Sequence, residues 1–229
     1  MVKQHLKRLS SPRTWPIAKK SLTFVARPRP GAHKIDMQVP LSLALRDMIG
    51  AVETTKQAKF ILHNKECLVD GKVVHDVKRP VGFMDVISLP KAKEHYRILV
   101  NKRNKLYAVK ISEKESSQKI ARVINKTTLK GGIMQLNTFD GRCVRVDDAS
   151  RYAVGDSLIL SLPDQKISDF LPLKKNATIL LTRGSHVGEI GTIEDIEDSV
   201  VTVKTDDKTF RTKKEYAVVI GKTKPVITL

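Results

Sequence analysis

The first 34 residues hold nine Lys or Arg and no Asp or Glu, and prolines at positions 12, 16, 28 and 30 interrupt them. Each proline lacks an N–H donor and disfavours the helical region for the residue before it, so no long helix or strand can run through this head. An extended basic N-terminal arm over residues 1–39 is the expected form. The first carboxylate is Asp36, and residues 35–229 hold all 24 acids against 33 Lys or Arg. Half of the formal net charge of +18 therefore lies in the head. Such a surplus repels itself in a compact state and is most simply explained by a partner that is a dense array of negative charge, nucleic acid above all.

The remaining composition narrows the class. Of the 229 residues, 41% are hydrophobic, enough to build cores in one large or two to three small domains. No run of about 18 apolar residues occurs, so no spanning helix and no membrane partner is expected. Cys67 and Cys143 are far apart and outside any C-x-x-C, and the histidines at 5, 33, 63, 75, 95 and 186 lack metal-ligand spacing. Both thiols are expected to be reduced and buried as small core residues, with no disulfide, metal or cofactor. A mitochondrial transit peptide would also be basic and acid-poor, but the four prolines spoil the amphipathic helix it needs.

Within the arm, Lys3, Lys7, Arg8, Arg13, Lys19, Lys20, Arg27, Arg29 and Lys34 are the candidate phosphate contacts. Trp15 and Phe24 sit among them. Their rings could stack on a base or guanidinium, or pack onto the following domain.

From Pro40 the pattern turns globular. Leu41, Leu45, Met48 and Ile49 share a helical face that Gly50 would stop, and Thr54 with Gln57 forms a capping box that opens a second helix ending near His63. Ala58, Ile61 and Leu62 are its apolar stripe; Lys56, Lys59 and His63 line the other side as a basic one. Strands are predicted over 66–69 and 72–75, joined by Asp70-Gly71 in a primed hairpin turn, with another over 86–89. The run Thr54 to Lys59, with Ile61-Leu62, Leu68 to Lys72 and Met84 to Ile87, resembles the alpha-L RNA-binding motif. That resemblance implies that Lys56, Lys59 and Lys72 grip structured RNA, although this chain has Lys where many members carry the planar fork of Arg. A solvated helix face is the alternative reading.

Residues 94–172 read as a central all-β domain. Strands are predicted over 96–100, 106–111, 120–124, 133–138, 142–146 and 157–162, separated by turns at 101–105, Gly131-Gly132, Asp140-Gly141 and Gly155-Asp156. Lys102, Arg103 and Lys105 make the first turn cationic, able to touch phosphate or simply to be solvated. In residues 173–229 a strand over 177–181 leads to Gly184, Gly188 and Gly191, then strands over 200–205 and 209–212 with Asp206-Asp207 between them. The glycine spacing resembles the KOW motif of SH3-like β-barrels, where a sharp reversal demands glycine. Ser185, His186, Val187 and Glu189 stand where such loops often carry lysines, so contact with RNA, contact with protein and a purely structural role all remain open.

The order of units, an arm, an alpha-L module over 40–93, a β domain over 94–172 and a KOW barrel with its tail over 173–229, resembles the archaeal and eukaryotic S4e family of small-subunit ribosomal proteins. His5-Leu6-Lys7-Arg8-Leu9, Pro12, Trp15 and the run Arg29 to Lys34 look like that family's arm. The fold class is thus α+β and multi-domain. The resemblance implies a cytoplasmic, non-catalytic constituent of the small subunit that binds small-subunit ribosomal RNA and neighbouring ribosomal proteins at one copy per subunit rather than as a homo-oligomer. A non-ribosomal RNA-binding protein and a KOW-bearing transcription factor are the alternatives. An RNA-modifying enzyme would need a catalytic domain, and no G-x-G-x-x-G after a strand, P-loop, nucleophile elbow or H-E-x-x-H is present. Asp147-Asp148 and Asp206-Asp207 read as turn chemistry.

Overall fold

A computed structural model describes residues 5–146, 148, 150–205 and 208–228. Lys3, Asp147, Asp206 and Asp207 lie outside the described residues. The chain is mostly β with few helices and divides into two compact units, one of residues 1–99 and 105–117, the other of 100–104 and 118–229. Among the described residues no helix is long and apolar enough to cross a membrane.

The first unit opens with β1 (Leu6–Lys7), which pairs antiparallel with β2 (Phe24–Val25). Then β3 (Gln38–Pro40) leads into α1 (Leu41–Leu43), which widens into a π-helical turn over Ala44–Met48. Gly50 follows at φ +74°, the left-handed stop its position predicts. The next helix, α2 (Thr55–His63), has the predicted capping box: the Thr54 hydroxyl accepts from Gln57 N–H at 3.2 Å and Gln57 Oε1 from Thr54 N–H at 3.0 Å. Ala58 and Leu62 are buried and turn the helix toward the core.

Strands β4 (Leu68–Val69) and β5 (Lys72–Val73) form the expected hairpin, with Asp70 and Gly71 both at positive φ. They are followed by β6 (Pro80–Gly82), paired with β3, then β7 (Val86–Leu89), β8 (Glu94–Val100) and β9 (Leu106–Ile111). The sheet order is β5-β4-β7-β8-β9. Strand β7 pairs with β8 in register Val86 to Arg97, so this sheet runs across the expected boundary between 93 and 94. The physical reason is burial, since Val86 to Leu89 and Arg97 to Val100 are buried throughout and need neighbours on both edges. A short α3 (Glu113–Ser116), capped by Ser112, ends this unit.

The second unit holds two five-stranded antiparallel sheets. One contains β10 (Gln118–Thr128), β11 (Met134–Thr138), β12 (Cys143–Val146), β13 (Ser157–Ser161) and β14 (Ile167–Leu171), in order β12-β11-β10-β13-β14. Ala121, Val123, Leu136, Leu158 and Leu160 are its core. The other contains β15 (Thr178–Leu181), β16 (Ile190–Glu197), β17 (Val200–Lys204), β18 (Thr209–Lys213) and β19 (Ala217–Gly221), in order β18-β17-β16-β15-β19. Cys67 is buried, and burial pushes its thiol up to about 12. Cys143 is exposed on the edge strand β12, which corrects the expectation of two core residues.

A buried ion cluster closes the turn between β11 and β12. Asp140 is 2% exposed, and its Oδ2 lies 3.0 Å from Lys119 Nζ and 2.9 Å from Arg142 Nε, while its other oxygen accepts from the Thr138 hydroxyl. Burial pushes this carboxyl's pKa up, but Lys119, Thr138 and Arg142 together outweigh it and hold the group below the usual carboxylate range. A depressed carboxylate contributes stability that is present above its unfolded pKa and lost as pH falls through its folded one. Replacing Asp140 by Asn removes the carboxylate that Lys119 and Arg142 share and is expected to cost about 3 to 5 kcal/mol at neutral pH. In urea unfolding, the gap between wild type and variant should narrow as pH drops below the ordinary carboxylate range.

Candidate nucleic-acid interface

The arm is pinned to the first unit by contacts that leave most of its charges outward. Trp15 has no exposed surface, and its indole N–H donates to the Ile35 carbonyl at 3.4 Å. Beside it the Thr14 hydroxyl donates to Asp36 O at 2.6 Å, Leu106 N–H donates to Thr14 O at 2.8 Å, and the Lys105 ammonium bonds the carbonyls of Arg13 and Trp15. These bonds order the expected extended arm within its own unit. The prolines exclude long regular elements but leave backbone carbonyls available as acceptors.

The candidate cations consequently separate into two kinds. Lys7, Arg13, Lys20, Arg29 and Lys34 are exposed, and Lys19 and Arg27 half-buried. Arg8 is buried instead, its Nε donating to Ala18 O at 2.5 Å, and Lys19 bonds the Ser11 carbonyl. Arg29 reaches Asp76 Oδ2 at 2.7 Å. Of its two expected readings, Trp15 takes the packed one, and no base can reach the ring in this conformation. Phe24, by contrast, is 55% exposed with His5 edge-on to its ring at 5.5 Å. Lys105, half-buried, serves the arm's backbone rather than a free turn.

On α2 the predicted stripe is displayed: Lys56, Lys59 and His63 are exposed while Ala58 and Leu62 face inward. Lys72 is exposed on β5 of the same unit. The sequence reading left out Phe60, which is 67% exposed on this face. Its signal is its spacing, four residues after Lys56 and three before His63.

In the second unit Lys102 and Arg103 are exposed, with Arg103 N–H bonded to Asn101 Oδ1 at 3.0 Å. The glycine turn lies against them. Gly188 has φ +76°, and a Cβ there would collide with the backbone of Asn101 and Lys102. Gly184 is also left-handed at φ +91°. Gly191 serves a different need, because a Cβ would stand 2.6 Å from Val203 Cγ1 and 2.8 Å from Lys204 O. His186 stacks on Phe210 with centroids 3.7 Å apart and bonds Glu189 at 3.2 Å.

The family model described as ribosomal family S4e matches residues 92–167, and the RS4NT domain matches residues 2–36. Proteins named small ribosomal subunit protein eS4 from Methanosphaera stadtmanae and Methanothermobacter thermautotrophicus are 39% and 40% identical, each over 99% of this chain and 96% of their own length. The chain belongs to the S4e ribosomal protein family. A crystal structure of the 30S ribosomal protein S4e from Thermoplasma acidophilum superposes with a TM-score of 0.71 at 35% identity, covering 82% of this chain and 96% of that one.

The burial of Trp15 gives this S4e protein a direct optical test, because it is the only tryptophan. Its fluorescence should be blue-shifted and protected from acrylamide without RNA and should change little when ribosomal RNA is added. Strong quenching by RNA would return the ring to the base-stacking role. Trp15→Ala is expected to destabilise the first unit by about 3 to 5 kcal/mol.

Proposed function

We propose that the chain is a structural constituent of the small ribosomal subunit, in the cytoplasm, binding small-subunit ribosomal RNA beside neighbouring ribosomal proteins. The observation that carries this reading is identity near 40% over almost the full length of proteins named small ribosomal subunit protein eS4. The helix pair with its hairpin, over Leu41 to Leu89, is the alpha-L module in this reading, and the sheet from Thr178 to Gly221 is the KOW unit. No catalytic role is assigned.

The mechanism is counterion release plus shape. Exposed arm cations replace condensed ions on the phosphates, and the folded units fix the register of the chain on the RNA. Arg8 and Lys19, held by backbone carbonyls, act by keeping the arm in one conformation. The Lys56 and Lys59 stripe and the Lys102 and Arg103 turn extend the same phosphate contact to the two units. With about six to nine phosphates neutralised, log K against log salt should have a slope on the order of −5 to −8.

Deleting residues 1–34 would remove Trp15 from the core as well as charge, so side-chain neutralisation is the cleaner test. Changing Lys7, Arg13, Lys20 and Lys34 to Gln in the full chain should make the slope shallower by roughly 3, measured by filter binding to purified small-subunit ribosomal RNA. An unchanged slope would show that these side chains do not meet phosphate. Separately, Lys56→Glu with Lys59→Glu should lower incorporation into reconstituted small subunits by roughly tenfold. Thermal unfolding should be unaffected, because both side chains are exposed. Normal incorporation would remove α2 from the interface.

A further inference from the structure

Phe60 is the most exposed large apolar side chain in the first unit outside the arm, at 67%. A single exposed apolar residue is ordinary on a protein surface and signifies nothing alone. What sets this one apart is its surroundings. It lies on α2 four residues after Lys56 and three before His63, so its ring sits between two members of the basic stripe. It also forms one wall of an open groove of about 550 Å³ lined by Lys59, Phe60, His63, His75, Asp76 and Val77. Its lining places the apolar Phe60 and Val77 beside an ammonium and two imidazoles.

The one acid in this groove is already engaged. Asp76 Oδ2 takes Arg29 Nε at 2.7 Å, and its Oδ1 accepts from Lys78 N–H at 2.9 Å. Both oxygens are therefore satisfied by donors, and the carboxylate's charge is offset by a guanidinium. An anion entering beside Lys59 does not face an uncompensated carboxylate. Apolar groups beside the Lys59 ammonium, with the acid already offset, complement a ligand that is flat and apolar at one end and anionic at the other. An unpaired nucleotide has that construction: a base with a π-face, joined through ribose to a phosphate. A purely hydrophobic protein side chain would use the apolar groups but leave the ammonium unmatched.

We infer that Phe60 is a stacking platform for one unpaired base of the ribosomal RNA, with Lys59 holding the adjoining phosphate. This deepens the proposed function and rests on it. The base splays out of a loop or bulge, lies on the Phe60 ring, and is fixed by the basic stripe on either side. Stacking is sequence-tolerant, so the platform selects for an unstacked nucleotide rather than for a particular base.

The test uses the full chain and purified small-subunit ribosomal RNA as probe. Phe60→Ala and Phe60→Leu should each weaken binding by about tenfold, whereas Phe60→Trp should bind as well as wild type. The salt slope should stay the same in all three, since no phosphate contact is lost. Because the ring is exposed, thermal unfolding should be unchanged, and Phe60→Trp also supplies a gain-of-function readout: in a Trp15→Phe background its fluorescence should be quenched by RNA. Equal affinity for Phe60→Leu and wild type would overturn the platform by showing that only bulk matters. Normal RNA binding by Phe60→Ala, with poor retention in assembled subunits, would overturn it in favour of a protein-facing patch. Failure of the wild-type chain to bind the RNA at all would instead strike the reading on which this inference stands.

Discussion

Burial of the Trp15 indole decides how the surplus charge of this chain is presented. Trp15 lies in the middle of a polycation, and taking such a residue out of water against the first unit fixes the backbone on either side. Thr14 and Lys105 then clamp that backbone through hydrogen bonds to main-chain oxygens. The cost of ordering a proline-rich segment is met before any RNA is encountered. A preordered arm has less conformational entropy left to lose on binding than a random tail.

The second unit solves a related problem differently. Two sheets supply the hydrophobic core, yet the turn at Asp140 gathers the buried Lys119 and Asp140 with the half-buried Arg142. Such a cluster is weak evidence of added stability relative to an apolar replacement, but breaking it is costly because a lone charge would remain. Its effect is to fix the β11 to β12 turn in one geometry. The glycine turn at Gly188 fixes another place where the backbone passes too close to Asn101 for any side chain. Both features restrict shape rather than supply binding energy.

Local signals were legible where they depend on neighbours in sequence. The Thr54 capping box, the Asp70-Gly71 turn, the Gly50 stop and most strand positions followed from short spacings, and the structure places them within a residue or a few. Element ends were less well placed, as in β10, which runs from Gln118 to Thr128 around a shorter apolar centre. Among the strands that the sequence pattern did not announce are Ile167–Leu171 and Ala217–Gly221. The second centres on the β-branched run Val218-Val219-Ile220, which could have revealed it; the first alternates weakly because Ser168 and Asp169 are both exposed. What sequence could not show was pairing over long separations. Nothing local says that β8 closes on β7 rather than opening a new domain, or that Lys105 reaches back to Trp15, 90 residues earlier. The same limit hid the fate of Arg8, whose cation looks like its neighbours until the fold buries it.

The cations that fix the arm's conformation are held in place by neutral acceptors. Arg8 bonds the Ala18 carbonyl, Lys19 that of Ser11, and Lys105 those of Arg13 and Trp15. A carboxylate would fix the same side chains equally well but would cancel their charge, and so weaken the field that draws in phosphate. Carbonyl oxygens provide direction without neutralisation. This explains why a head with no acids can still be ordered: its main chain does the work that Asp and Glu do elsewhere, and the full positive charge survives folding. Arg29 is the exception, pairing with Asp76, and there the acid itself comes from outside the head, where its charge is shared with the groove beside Phe60.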